Sequence, residues 1–360
     1  MKHTTILITF IMVAILSLSA QSYSPCYTEF MAKGNAAYNQ GKNNEEKTYY
    51  AKAKQCAGGN PTEAQKRINQ CNAKLNPAPK PSQPSASTPK TDQTFTVNGI
   101  SFKMVYVQGG SFTMGCTSEQ GSDCVDDEKP VHMVTVSDFC MGETEVSVAL
   151  FRAFISETGY RTDAEKGGWA WRWMQVDGEW KWNKVEGLNW MYDGQGNARN
   201  RSEVNHPVLY VSWNDAKEFC KWLSRKTGRT FRMPTEAEWE YAARGGNKSR
   251  GYKYAGSNSI GEVAWYGDVN DNTHPVKMKQ ANELGLYDMS GNVREWCEDW
   301  YGSYSSSSQT NLTGPSSGSG RVNRGGSWCD FAGYCRVSLR DYDTPDIRYS
   351  YLGFRLSLVR

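Results

Sequence analysis

The chain has 360 residues, 38% of them hydrophobic, with 41 Lys and Arg against 38 Asp and Glu and a formal net charge of +3. That length and apolar content support one large core or two smaller ones and exclude general disorder. Near-balanced charge without a long run of Lys and Arg excludes a phosphate-neutralising stripe, so no nucleic-acid partner is expected.

Residues 1–20 have the form of a secretory signal peptide: a short polar start at Lys2 and His3, an apolar run from Ile6 to Leu16, and small residues ending at Ala20. The run is too short to span a bilayer, which predicts no transmembrane segment and an exported protein, periplasmic, cell-surface or secreted. In that compartment the 10 cysteines are disulfide candidates first, with connectivity left open.

Residues 21–75 carry Tyr38, Tyr49, Tyr50, Ala53 and Cys56 at helical spacing, a Gly58-Gly59-Asn60-Pro61 break, and a second helical stretch from Thr62 to Leu75. This predicts a helix-turn-helix module of tetratricopeptide type, packed through Cys26, Cys56 and Cys71 or docked elsewhere. Residues 76–93 are rich in Pro and Ser and read as a tether, leaving residues 94–360 as the main domain.

There the pattern turns to short strands and isolated helices. Phe102–Val107 reads as a strand, Gly109-Gly110 as a turn and Phe112–Gly115 as the partner strand. Cys116 and Cys124 bracket a polar loop and suggest a local disulfide. Val131–Val136 is strand-like. Ser147 caps a helix that places Val148, Phe151, Phe154 and Ile155 on one face and ends at Gly159. Residues 167–200 hold Trp169, Trp171, Trp173, Trp180, Trp182 and Trp190; such density suits either a ligand groove or a hairpin-containing insertion held down by its rings, and we favour the latter. Two further capped helices begin at Ser212 and Thr235.

Next come runs with a recognisable order: Val211-Ser212-Trp213-Asn214-Asp215-Ala216, Arg232-Met233-Pro234-Thr235-Glu236-Ala237-Glu238-Trp239-Glu240-Tyr241, Gly285-Leu286-Tyr287-Asp288-Met289-Ser290-Gly291-Asn292-Val293-Arg294-Glu295-Trp296, Arg324-Gly325-Gly326-Ser327-Trp328 and Gly353-Phe354-Arg355. From about Phe102 to the C-terminus the chain resembles the formylglycine-generating enzymes, or sulfatase-modifying factors. The resemblance implies an α+β fold, a variant of the C-type lectin fold low in regular secondary structure, here preceded by the small helical module.

Catalytic members of that family oxidise a sulfatase cysteine to formylglycine with a pair of cysteines that hold copper(I), a metal suited to soft thiolates. Cys329 and Cys335 lie in the corresponding region, but their spacing is longer than the family's. Aligning from Arg340 and Thr344-Pro345-Asp346 puts Ala332 where one catalytic cysteine would stand and the other in a deleted part. The family also implies structural calcium. Asp288 and Glu295 match its side-chain ligands and Gly291 and Val293 its carbonyl ligands, a hard oxygen set that suits the ion. A hydrogen-bonded turn is the alternative reading of the same residues.

The C-terminal stretch is also similar to the diversified region in variable proteins of diversity-generating retroelements. Cys329, Asp330, Phe331, Tyr334, Leu339, Asp341, Asp343, Ile347, Tyr349, Ser350 and Tyr351 are all reachable from Asn codons by changing adenines. Tyr and Phe supply contact area at low entropic cost, and Asp and Ser supply polar contacts. The sequence therefore points to non-catalytic recognition of a protein or glycan through Asp330, Phe331, Tyr334, Leu339, Asp341, Asp343, Ile347, Tyr349, Ser350 and Tyr351. A copper-dependent oxidase acting on a sulfatase through Cys329 and Cys335 is the alternative.

Overall fold

The computed structural model describes Cys26 and residues 29–33, 43–56, 62–68, 90–269 and 271–360. The expected signal peptide, most of the tether and Cys71 lie outside the described residues. The chain divides into two compact units, Met1–Ser87 and Thr88–Arg360.

In the first unit, helix α1 (Asn43–Lys54) turns Tyr50 and Ala53 inward. Ala53 packs with Ala64 from a helical stretch at 62–68, and Phe30 and Met31 lie against the pair. A disulfide joins Cys26 to Cys56.

The second unit is built on a sheet of eight strands. Along it run β1 (Gln93–Val97), β2 (Ile100–Val107), β5 (Phe139–Glu145), β13 (Leu352–Leu358), β9 (Arg294–Trp300), β11 (Arg321–Arg324) and β12 (Arg340–Asp343), with β8 (Phe231–Arg232) also paired to β13. A smaller sheet takes β3 (Gly110–Met114), β4 (His132–Val136) and β10 (Gln309–Thr310), and β6 (Trp169–Val176) pairs with β7 (Glu179–Glu186) as a separate hairpin. The expected pairing of β2 with β3 does not occur. β2 pairs with β5 and β3 with β4, because the chain changes sheets at Gly109. Its amide donates to Asp138 at 2.9 Å, and a Cβ there would meet the Val136 carbonyl oxygen at 2.4 Å.

Alternation along the strands divides the core between the two sheet faces. Met104, Cys140 and Trp296 join the helices α2 (Val148–Thr158) and α4 (Trp213–Thr227), which the short α3 (Asp163–Gly167) separates in the chain; their neighbours Val105, Met141 and Cys297 join α5 (Glu236–Ala243) and the small sheet. The helices start and stop where their side chains dictate. Ser147, Ser212 and Thr235 each accept an amide hydrogen at the N-cap, and Gly159 and Gly228 take left-handed backbone at the C-cap of α2 and α4. The Cys116–Cys124 disulfide closes its loop as expected.

Buried ion pairs lock the motifs to one another. Glu295 of β9 receives Arg355 of β13 through Nε at 2.5 Å and Nη2 at 2.6 Å, and Trp239 of α5 through Nε1 at 2.7 Å. Arg324 pairs with Glu240, Arg340 with Glu236 at 2.7 Å, and Arg336 with Glu128 at 2.5 Å. Removing one partner leaves a buried charge without compensation. Glu295→Ala is therefore expected to lower unfolding free energy by about 3–5 kcal/mol. Urea denaturation should show the same loss with and without a calcium chelator if the Arg355 pair carries it.

Candidate functional site

The C-terminal face is organised around Arg294, the first residue of β9, which is only 5% exposed. Its Nε and Nη2 donate to the Asp330 carboxylate at 2.8 and 3.1 Å, and its Nη1 donates to Asn323 at 3.4 Å and to Asp341. The guanidinium also sits 5.5 Å from the Tyr334 ring centroid and 5.3 Å from that of Tyr351. One cation thus ties β9 to β11, β12 and the 327–335 loop. Burial of its stem and three carboxyl or amide acceptors make this a fixed arrangement rather than a mobile surface pair.

Asp341 and Asp343 lie two apart on β12 and so share a side of the strand. Asn323 pairs across from Asp341 and donates to Asp343 at 3.3 Å. Burial, and then the neighbouring Asp341 charge, push the Asp343 carboxyl up to about 7.

Beyond the aspartates lies an aromatic wall. Tyr349 and Tyr351 stack with centroids 5.0 Å apart and planes 9° apart. Trp182 of β7 closes on both, at 4.7 Å from Tyr349 and 5.0 Å from Tyr351, and its cross-strand neighbour Trp173 follows at 5.1 Å. The hairpin is fastened through its backbone: Trp171 donates to the Arg348 carbonyl at 3.0 Å, and Ser350 donates to the Trp171 carbonyl at 3.0 Å.

The residues expected to contact a ligand divide into groups. Phe331 and Tyr334 project, 75% and 46% exposed, and Tyr349, Tyr351 and Asp343 are half-buried. Asp330 and Asp341 are engaged by Arg294. Leu339, 8% exposed, and the fully buried Ser350 lie beneath the face, so the expectation that they contact ligand is corrected. Ile347, like one side of Tyr349 and Tyr351, packs against the main core. Trp182 was not among the expected contacts; its signal was the tryptophan density that we read as glue. Arg294 stood in a quoted motif without a role.

Cys329 and Cys335 are free thiols. Cys329 lies 3.5 Å from the Ser327 hydroxyl, and Cys335 is wholly buried beside Tyr254 and Val263. Burial first, then the Asp330 charge, raises both thiols, Cys329 to about 12. A Cβ on Gly326 would stand 2.7 Å from the Cys335 sulfur. This is a packed, electronegative setting, opposite to one that stabilises thiolate.

Around the residues that the family resemblance implies for calcium, two buried oxygens have no partner, Asp288 Oδ1 and Glu145 Oε2. Burial raises both carboxyls, Asp288 to about 6; the Asp288 and Glu295 charges add to the rise at Glu145, and the Glu295 charge to that at Asp288. Glu295 has both oxygens occupied by Arg355 and Trp239. Among the described residues no group of three or more His, Cys, Asp and Glu is placed to hold a metal ion. The fit is partial: Asp288 has a free oxygen, and Glu295 is committed to its arginine.

Comparison with known proteins places this geometry. Residues 88–359 match the family described as "Sulfatase-modifying factor enzyme 1-like domain". The chain is similar to the Formylglycine-generating enzyme of Mus musculus, 38% identical over 284 residues, covering 70% of this chain and 74% of that protein. It is also similar to Inactive C-alpha-formylglycine-generating enzyme 2 of Bos taurus, 33% identical over 288 residues, covering 72% and 88%. Among solved structures, Treponema denticola variable protein 1 aligns with a TM-score of 0.57 at 30% identity, covering 75% of this chain and 99% of that one.

An acid whose folded-state pKa is raised stabilises the fold fully below its unfolded value, and that contribution is lost as pH rises through the folded value. For Asp343 the window runs from its ordinary 3.8 to about 7. Asp343→Asn should match the parent in stability below that window and exceed it at pH 8, as read by urea denaturation across the range.

Proposed function

The chain belongs to the sulfatase-modifying factor family, and from that premise we propose that it acts by non-catalytic recognition of a protein or glycan through its C-terminal face. The supporting observation is the half-buried wall of Trp182, Tyr349 and Tyr351, with the exposed Tyr334 set against the same Arg294 guanidinium as Tyr351. Rings held by a rigid frame give contact area without an ordering penalty on binding. Family relatives include a protein named as inactive and one named as a variable protein. Buried, protonated thiols at Cys329 and Cys335 accord with the same reading.

The oxidase reading is supported by 38% identity to a formylglycine-generating enzyme and by two unbridged cysteines in the right region. It requires both thiols as thiolates, for which copper(I) would supply the oxygen chemistry.

One experiment separates the two. The purified protein is applied to glycan and peptide arrays, alone and as Tyr349→Ser/Tyr351→Ser, and in parallel incubated with copper(I), oxygen and a Cys-x-Pro-x-Arg peptide. The recognition reading expects an array ligand that the double variant binds at least about tenfold more weakly, a loss of the size expected for central aromatic contacts. It expects no aldehyde. Aldehyde formation abolished by Cys329→Ser and Cys335→Ser would overturn it.

Export belongs to the same proposal, supported by two disulfides among the described residues. Among those residues no helix is long and apolar enough to cross a membrane. So does structural calcium, at Asp288 with the carbonyls of Gly291 and Val293, supported by the unmatched oxygen of Asp288 and that of nearby Glu145. Calcium is expected to raise the melting temperature, and Asp288→Ala to abolish that rise; an equal rise in the variant would remove the site.

A further inference from the structure

The aromatic wall and the aspartates together narrow the ligand. Resting on the recognition reading above, we propose that this face takes a cationic side chain, an arginine guanidinium or lysine ammonium of a protein partner, seated against Trp182, Tyr349 and Tyr351 beside Asp343.

The argument starts from charge. Asp330, Asp341 and Asp343 converge here, and the Arg294 guanidinium among them is divided between Asp330 and Asp341. Asp343 is left with a hydrogen bond from the neutral Asn323 amide at 3.3 Å. The patch is therefore locally acidic in a chain whose formal net charge is +3. Geometry joins Asp343 to the rings in short steps: Asn323, which donates to Asp343 at 3.3 Å, accepts from Arg294 at 3.4 Å, and that guanidinium sits 5.3 Å from the Tyr351 ring centroid. A carboxylate at the edge of a ring group is the pairing that recognises a cation: the ring faces attract it electrostatically, and the carboxylate supplies a directed acceptor.

The protein itself shows the same chemistry several times. Arg294 lies over Tyr351 at 5.3 Å, Arg348 over Trp169 at 3.6 Å, and Lys184 over that same Trp169 at 3.8 Å. In each case the cation comes from within the chain. At Trp182 and Tyr349 the wall has only other rings as neighbours of this kind among the described residues. A neutral sugar would stack on the rings without engaging the Asp343 carboxyl as a cation does, and an anion would meet Asp330 and Asp341.

The test uses the full chain and immobilised peptides identical except at one central residue: arginine, lysine, citrulline or norleucine. A methyl hexoside serves as the neutral sugar probe. The proposal expects the arginine or lysine peptide to bind about tenfold or more tightly than its neutral counterpart. Asp343→Asn, which keeps the side chain's shape, should remove that preference while the protein stays folded by thermal denaturation. Equal binding of arginine and citrulline peptides, a preference that survives Asp343→Asn, or binding of the hexoside in place of the cations overturns it. A neutral array ligand whose binding depends on Tyr349 and Tyr351 would sink this inference and leave the recognition reading standing. Array ligands that ignore those tyrosines would sink both.

Discussion

The guanidinium of Arg294 is the joint on which the C-terminal face depends. It is almost wholly buried at the start of β9, yet its acceptors lie on the 327–335 loop, on β11 and on β12, and its flat faces meet Tyr334 and Tyr351. Such a charge is tolerated inside only because Asp330 and Asp341 compensate it. Those two aspartates are thereby bound into the frame, whereas Phe331 and Tyr334 project to solvent and Asp343, Tyr349 and Tyr351 keep part of their surface exposed.

A second tier of buried pairs lies behind that joint. Arg355 with Glu295, Arg324 with Glu240, Arg340 with Glu236 and Arg336 with Glu128 cross between strands, helix α5 and the 3-10 turn at Asp126–Glu128. A chain with short strands and few helices cannot rely on long ladders for register, and directional buried ion pairs suit that need. They also explain why the runs that identify the family are rich in Arg, Glu and Trp: Gly-Phe-Arg and Asn-Val-Arg-Glu meet at Arg355 and Glu295, with Trp239 completing the contact. Segregating the frame from the exposed rings lets one part hold shape while the other presents chemistry.

What the sequence revealed was mostly local. Ser147, Ser212 and Thr235 announce their helices because a cap and its amide are three residues apart, and Cys116 and Cys124 find each other across a separation of 8. The fold class followed from the ordered motifs. Contacts between distant segments were harder to read. Pairing β2 with β3 looked natural from sequence adjacency, but Gly109 passes the chain to another sheet. Leu339 and Ser350 shared the codon pattern of their neighbours, though Leu339 is 8% exposed and Ser350 is fully buried with its amide bonded to the Trp171 carbonyl. Trp182 is separated from Tyr349 by most of the domain, and nothing local says that the hairpin closes on that tyrosine rather than on the core.

The most direct measurement is a comparison of two libraries by protease resistance. One randomises Phe331, Tyr334, Asp343, Tyr349 and Tyr351; the other randomises Arg294, Glu295 and Arg355. If the face is carried by the frame without building it, most members of the first library stay folded and most of the second do not. Collapse of the first library to the level of the second would contradict the account, because those rings and Asp343 would then be structural.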